Sequence, residues 1–291
     1  MKLITSDIKA KIENCIIDRL HNREYLSASI GIEEIINDLY DTIPSDKRIS
    51  FGIVHTVKEL GNHLFIEFQE SKLPVFESAS ALFDVANKTE SRAVALCILS
   101  FHGVDFPEKV LPYFEKAAAD DDWEMREISQ ILFRRLIKPH PAVMQNFLLK
   151  LVKSTDPNVR RFVGETLRPV CENKWFYKQP EYSLSVIRHL FKESKPYPRT
   201  STGNNLSDLA RHLPEMVYEI VGELVSSGDK NSSWIACRAC RNLVKKEPER
   251  VLKILGTDSY KYKDRTVKYS VISHWSSVVA VAAVGSNNFE H

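Results

Sequence analysis

Apolar side chains recur every three or four residues along most of the chain, which is the spacing of one face of an α-helix. The first segment shows this spacing at Ile8, Ile12, Ile16 and Leu20. The pattern predicts helices over residues 6–20, 32–41, 50–69, 76–86, 90–102, 107–118, 123–137, 140–153, 157–171, 180–193, 202–211, 214–227, 231–246 and 248–256. Short polar or proline-containing breaks separate them. The chain is therefore predicted to be all-α.

A repeat of 34 residues runs through the chain. Arg92, Arg126 and Arg160 are spaced by 34 positions, and the last two each follow an aspartate by four positions. Leu209–Val217 and Leu243–Val251 also match at an offset of 34. Periods of this length are typical of two-helix repeats that bury their apolar faces against one another. We expect an α-α superhelix, a solenoid whose concave surface binds the ligand.

Two features modify this regular repeat. Asp156 followed by Pro157 is a strong helix start, with the aspartate as N-cap and the proline at the first helical position. In the next repeat the offset widens to 39, and the extra residues fall around Trp175–Pro180 and Lys195–Pro198. Insertions in a solenoid map to loops, so these segments are predicted to be loops on one face, often the binding face.

Charge is unevenly distributed along the chain, although the net charge is only +2. Residues 1–120 contain 13 Lys and Arg against 19 Asp and Glu, a net of −6, whereas residues 131–200 contain 14 against 5, a net of +9. A basic field of this kind fits a polyanion if the side chains share a face. The alternative is that these cations are spread over solvated outer helices.

The composition narrows the class of protein further. The first 18 residues mix Lys, Asp and Glu with apolar residues, so no signal peptide is expected, and the apolar run Val278–Val284 is too short to span a bilayer. Five cysteines without framework spacing fit a reduced, cytoplasmic protein. Cys237 and Cys240 form a single C-x-x-C inside a predicted helix, which favours packing over zinc binding, and no other metal-ligand spacing occurs.

The segment after Asp156 carries the first candidate site residues. Arg161, Glu165 and Arg168 are spaced by four and three, so they share one face of the predicted helix, with Arg160 turned away. One interpretation is an anion-binding face that includes a carboxylate. The other is an intrahelical ladder of ion pairs worth a few tenths of a kcal/mol per pair, on the order of 0.2–0.5 kcal/mol.

Three further residues are expected beside this face. Trp123 and Glu127 are four apart in the preceding repeat, and Asp208 lies in the following one. Equivalent helices of stacked repeats are neighbours, so the three would complete a strip of carboxylates, guanidinium groups and an aromatic ring. Such a strip suits a cationic sugar transition state. Alternatively, Trp123 caps a turn and Asp208 binds the backbone.

Three sequence segments resemble a known family. D-W-E-M-R-E at 122–127, V-R-R-x-x-x-E-x-x-R-P at 159–169 and N-N-L-S-D-L-A-R-x-x-P-E at 204–215 are similar to signature segments of the HEAT-like-repeat DNA alkylation repair family, the AlkC/AlkD-type alkylpurine DNA glycosylases. The resemblance covers about residues 90–265. It implies a solenoid of HEAT-like two-helix repeats that cradles duplex DNA on a basic concave face. It also implies excision of N3- and N7-alkylated purines without a metal or nucleotide cofactor.

The resemblance implies roles for individual residues. The catalytic carboxylates would be Glu127, Glu165 and Asp208, with Glu127 standing where the family usually has Asp. The residues that contact DNA would be Trp123, Arg160, Arg161, Arg168 and Trp175.

We therefore expect one helical-repeat domain over 1–265, comprising N-terminal helices at 1–88 and family-like repeats at 89–265, followed by a tail at 266–291. A monomeric, cytoplasmic DNA glycosylase is the first hypothesis. A non-catalytic protein that binds damaged or branched DNA is the second, and a protein-binding solenoid is the third. Base release separates the first two hypotheses, and salt-sensitive DNA binding separates both from the third.

Overall fold

A computed structural model describes residues 3–48, 52–262 and 265–268. Regular structure in these residues is almost wholly helical, and the helices pack in consecutive pairs, which confirms the predicted all-α repeat class. The chain divides into two compact units, Met1–Leu151 and Val152–His291, which are described separately. The boundary of the tail stays a prediction, because residues 269–291 lie outside the described residues.

The first unit contains two layers of helices. Its helices are α1 (Ser6–Ile12), α2 (Asp18–His21), α3 (Tyr25–Asp41), α4 (Ile53–Glu70), α5 (Val75–Val85), α6 (Thr89–His102), α7 (Pro107–Ala118), α8 (Trp123–Ile137) and α9 (Pro141–Leu151). A π-helical segment, Glu13–Ile17, joins α1 to α2, and a 3-10 turn lies at Ser45–Lys47. Alternate helices lie side by side: α4 packs on α6 and α6 on α8, while α3 packs on α5 and α7 on α9.

The second unit repeats this arrangement. Its helices are α10 (Pro157–Thr166), α11 (Pro180–Ile187), α12 (Pro196–Leu209), α13 (Pro214–Ser226), α14 (Lys230–Ala239) and α15 (Pro248–Leu255), with 3-10 segments at Cys171–Tyr177 and Arg188–Leu190. All except α14 begin with proline, whose fixed φ suits the first helical position. Helix α12 packs between α10 and α14, and α13 packs on α15. We call the helices α10, α12 and α14 the α10/α12/α14 layer.

The 34-residue spacing of Arg126 and Arg160 has a structural cause. Arg126 Nη1 donates to the carbonyl oxygens six and five residues before it, at 2.5 and 2.8 Å. Arg160 Nη1 donates to the equivalent oxygens of Ser154 and Thr155, at 2.8 and 3.0 Å. Both arginines therefore satisfy carbonyl groups in the turn that precedes their own helix, and the repeated motif stabilises that turn.

Helix starts are better predicted than insertions and helix ends. Asp156 caps α10 by accepting from the Asn158 backbone N–H, as predicted. The predicted loop at Lys195–Pro198 is wrong, because Pro196 and Pro198 lie in the first turn of α12, where backbone N–H groups have no intrahelical partner. Helix α10 ends at Thr166 rather than at 171, since a following proline disfavours helix in the residue before it.

Gly203 marks a close approach between α12 and α14. A Cβ on Gly203 would lie 2.5 Å from Cγ of Arg238, whereas one on Gly222 in α13 would meet only Ile254 Cδ1 at 3.8 Å. We expect Gly203→Ala to destabilise the protein by about 1–3 kcal/mol. Gly222→Ala is expected to stabilise it by up to about 1 kcal/mol, because alanine favours helix. Urea unfolding of both variants tests this, and equal effects would contradict the close approach.

A two-stranded hairpin follows α15 and was not predicted. Strands β1 (Ser259–Tyr262) and β2 (Arg265–Lys268) pair antiparallel, with Tyr260 opposite Val267. Tyr260 is buried and its hydroxyl donates to the carbonyl oxygen of Cys237 at 2.7 Å. The hairpin is thereby attached to α14. Every helix within residues 3–48 and 52–262 is too short or too polar to cross a lipid bilayer.

Candidate functional site

Three of the predicted site residues meet in the second unit. Glu165 lies in the last turn of α10, Arg168 follows the end of that helix, and Asp208 lies in the last turn of α12. Because α10 packs directly on α12, the two carboxylates are brought to the same place, with the guanidinium between them. We call these three residues the carboxylate cluster.

Arg168 binds both carboxylates of the cluster. Its Nη1 donates to Glu165 Oε2 at 2.9 Å. Its Nε and Nη2 both donate to Asp208 Oδ2, at 2.8 and 2.6 Å. Charge-assisted bonds of this kind hold the planar guanidinium in a fixed orientation. The positions of the two acids are therefore fixed relative to each other.

Two residues that the sequence interpretation missed contact the acids of the carboxylate cluster. Ser201 Oγ donates to Glu165 Oε1 at 2.6 Å, and Arg211 Nη2 lies 3.3 Å from Asp208 Oδ1. Ser201 can approach because Gly164 on α10 has no side chain, and a Cβ there would lie 3.1 Å from that of Ser201. A signal was present in the sequence: Ser201, Asp208 and Arg211 are spaced by seven and three, which places them on one helical face.

The cluster is mostly shielded from water. Glu165 and Asp208 are each 5% exposed, whereas the Arg168 side chain is 27% exposed. Burial opposes the charged form of Arg168, but the two carboxylates outweigh it and raise its pKa above the ordinary value. Burial and the charge of Asp208 also raise the pKa of the Tyr177 hydroxyl. The two acids thus meet the two arginines, Arg168 and Arg211, in a region of reduced dielectric, where electrostatic interactions are strong.

Arg160 and Arg161 have different surroundings although they are adjacent. Arg160 forms a two-pronged ion pair with Glu193, with Nε to Oε2 at 2.6 Å and Nη2 to Oε1 at 3.1 Å. Burial raises the pKa of Glu193, but the bonds from Arg160 and the backbone N–H of Lys195 lower it further, so its pKa is below the ordinary value. The Arg161 guanidinium lies over the Tyr197 ring, 4.3 Å from its centroid. A DNA contact by Arg160 stays a prediction, and its ion pair favours a structural role.

Trp123 and Glu127 belong to the first unit. Trp123 opens α8 and is 62% exposed, the largest exposed fraction among the exposed large hydrophobic residues that the structure describes. Glu127 Oε1 accepts from Gln130 Nε2 at 2.8 Å, and Gln130 Oε1 accepts from Arg134 Nη2 at 2.6 Å. Glu127 is thus linked through Gln130 to the buried guanidinium of Arg134 along one face of α8. That these residues adjoin the carboxylate cluster stays a prediction.

Trp175 lies in the 3-10 segment Cys171–Tyr177, within an aromatic group. Its ring centroid is 4.5 Å from that of Phe176 and 4.9 Å from that of Tyr182. The indole is half-buried, and its Nε1 makes no hydrogen bond to any residue that the structure describes. Contact of Trp175 with DNA stays a prediction, and the ring contacts favour a packing role.

Of the two cysteines of the C-x-x-C motif, Cys237 lies in α14 and Cys240 directly follows that helix. Cys240 is fully buried, and burial raises the pKa of the Cys237 thiol to about 11. Both thiols therefore stay protonated and belong to the packing of the helix. Across residues 3–48, 52–262 and 265–268, no three His, Cys, Asp or Glu side chains are grouped as ligands for a metal ion.

The fold is shared with the DNA glycosylase AlkC and with AlkD2, whose helices form HEAT-like repeats. Pseudomonas fluorescens alkylpurine DNA glycosylase AlkC, solved bound to DNA containing an abasic site analog, is 17% identical with a TM-score of 0.52 over 75% of this chain and 70% of AlkC. AlkD2 from Streptococcus mutans is also 17% identical, with a TM-score of 0.52 over 72% of this chain and 98% of AlkD2. At this identity, the likeness establishes the fold alone.

By sequence, the similarity to known proteins is distant. No protein-family model matches the chain. The uncharacterized protein YhaZ of Bacillus subtilis (strain 168) is 24% identical over 178 residues, which are 56% of this chain and 49% of YhaZ. The chain thus matches about half the length of this relative.

Proposed function

We propose that this protein is a DNA glycosylase that excises N3- and N7-alkylated purines from duplex DNA. The observation that carries the proposal is the carboxylate cluster, in which Arg168 holds Glu165 and Asp208 together across two helices. The shared fold supports it, since AlkC is an alkylpurine DNA glycosylase and its structure contains DNA. The net charge of +9 over residues 131–200 is consistent with a DNA partner.

The proposed reaction uses the charge that the substrate already carries. An N-alkylated purine is cationic, so breaking its bond to C1′ releases a neutral base and leaves positive charge on the sugar. A fixed carboxylate stabilises that charge more in the transition state than in the bound substrate. Water then bonds to C1′, and its proton passes to a carboxylate. The products are a free base and an abasic site, and no proton donor to the base, metal or cofactor is needed.

Each proposed residue has a task in this scheme. Glu165 and Asp208 stabilise the sugar cation, and Arg168 holds both acids in place. Glu127 is a third acid, and Trp123 with its exposed ring contacts the sugar or the alkylated base, where cation–π attraction favours the charged purine. The remaining predicted DNA contacts are Arg160, Arg161 and Trp175. The protein acts as a cytoplasmic monomer on cellular DNA.

A non-catalytic DNA-binding protein is the second candidate, and one observation favours it. All four carboxylate oxygens of Glu165 and Asp208 already bind side chains of the protein: Ser201 and Arg168 at the first acid, Arg168 and Arg211 at the second. Oxygens bound in this way stabilise the helix pair and are less available to a sugar cation.

Incubation with methylated duplex DNA separates the two candidates. The protein is mixed with DNA that contains N7- and N3-methylpurines, and both the free base and the strand breaks formed at abasic sites are measured. A glycosylase releases both products in equal amounts. Binding of the DNA without base release would support the second candidate and refute the first.

A further inference from the structure

Two arginine–aromatic pairs repeat along the α10/α12/α14 layer. Arg161 of α10 stacks on Tyr197 of α12 at 4.3 Å, and Arg199 of α12 stacks on Trp234 of α14 at 4.5 Å. The members of each pair are 36 and 35 positions apart, and each pair joins two neighbouring helices of the layer. Neither Arg199 nor Trp234 belongs to the carboxylate cluster. The second pair therefore extends the row of stacked cations one repeat further along the layer.

The charge of Arg199 is only weakly compensated. Within the described part of the chain, its guanidinium makes one hydrogen bond, from Nη1 to the neutral Oδ1 of Asn231 at 2.8 Å, and its Nε is buried without a partner. Glu193 attracts Arg199 at longer range, but that carboxylate is already bound by Arg160 and by the backbone N–H of Lys195. Burial outweighs the attraction and lowers the pKa of Arg199.

The half-buried guanidinium of Arg199, stacked on the indole of Trp234, is preorganised to bind an anion. The ring fixes the guanidinium plane, so little conformational entropy is lost when the N–H groups bind phosphate. Packed helices lie about 8–10 Å apart. Phosphates of one DNA strand are spaced by about 3.4 Å along the duplex axis. Stacked arginines on adjacent helices would thus meet phosphates two or three positions apart on one strand.

We propose that Arg199, stacked on Trp234, binds a phosphodiester group of duplex DNA at the first turn of α12, the helix that carries Asp208 of the carboxylate cluster in its last turn. The identity of the polyanion rests on the proposed function, whereas the anion site itself rests on the geometry of Arg199. The exposed Tyr197 ring, 40% accessible, lies between the two arginines in sequence and offers an aromatic surface to the same strand. A purely structural role, in which Arg199 only packs against the indole, predicts no contribution to DNA binding.

Arg199→Met tests the proposal, with Arg250→Met as the matched control. Both variants remove one arginine that stacks on an aromatic ring, since Arg250 lies 3.7 Å from the Tyr218 centroid, but Arg250 is on α15 outside the layer and pairs with Glu215. A short unmodified duplex is titrated at several salt concentrations. We expect the log–log slope of affinity against salt to fall by about one unit in Arg199→Met and to stay unchanged in Arg250→Met.

Equal slopes in the wild type and Arg199→Met would overturn the proposal, and so would an absence of duplex binding by the wild type. Arg199→Gln gives the same test if the methionine variant fails to fold, because it removes the charge but keeps a donor for Asn231. Inorganic phosphate is titrated separately: displacement of DNA at low millimolar phosphate would indicate a site for free phosphate and contradict the proposal. The release of methylated bases by the wild type is measured independently. If the salt slope falls in Arg199→Met but the wild type releases no base, only the proposed function is refuted.

Discussion

Glu165→Gln is expected to slow the release of methylated purines by at least about tenfold, on the order of 1.4 kcal/mol in transition-state stabilisation. The amide has nearly the same shape as the acid and can still bond to Ser201 and Arg168, so the helix pair is preserved. What is removed is the negative charge that would stabilise the sugar cation. Single-turnover excision measured with enzyme in excess reports this step separately from product release.

Glu193→Gln is the matched control for this prediction. The side chains of Glu165 and Glu193 are equally buried, each 6% exposed, and each is paired with an arginine. Glu193 lies outside the carboxylate cluster, so we expect its variant to excise bases at the wild-type rate, measured below the temperature at which either variant unfolds. Equal losses in both variants would attribute the effect to stability and remove Glu165 from the proposed reaction.

Arg168→Met is expected to destabilise the protein by about 3 kcal/mol at neutral pH. The change leaves Glu165 and Asp208 without the cation that binds them both, and removing one partner of a buried pair costs about 3–5 kcal/mol. The lower end of that range applies because the Arg168 side chain is 27% exposed. Urea unfolding gives the free energy, and the exposed pair of Arg188 with Glu223 supplies a control, with Arg188→Met changing stability by at most about 1 kcal/mol.

A double variant tests the origin of that loss. Adding Glu165→Gln to Arg168→Met removes one of the two acids that Arg168 binds, so the double variant should be more stable than the sum of the single effects predicts. Strict additivity would show that Arg168 acts through packing of its stem and not through the two acids.

The carboxylate cluster could be predicted from the sequence because its determinants are local or periodic. Glu165 and Arg168 are three positions apart, which fixes their common face, and the repeat places the next helix of the layer alongside. Ser201, which binds Glu165 from α12, was harder to find. The 39-residue offset hid which residue of α12 faces α10, and the proline-rich start of α12 was interpreted as a loop, which obscured Ser201.

Arg160 illustrates what periodicity does not determine. A residue that recurs after 34 positions is required by something that also recurs, and for Arg126 and Arg160 that is the turn before α8 and the turn before α10. Spacing alone cannot distinguish a guanidinium that binds its own backbone from one that binds a ligand. The hairpin was missed for a different reason: the alternation in Ser259–Tyr262 spans only four residues, too short to outweigh the helical pattern before it.

The attachment of the hairpin has a consequence for solubility. A terminal repeat has no neighbour to cover its apolar side, and an uncovered side favours self-association. Tyr260 packs into the core formed with Cys240 and Leu243, where it is only 4% exposed. The strand that carries it therefore covers apolar side chains in the segment that follows α14. A chain shortened to end before Ser259 would present that apolar surface to other molecules and tend to aggregate.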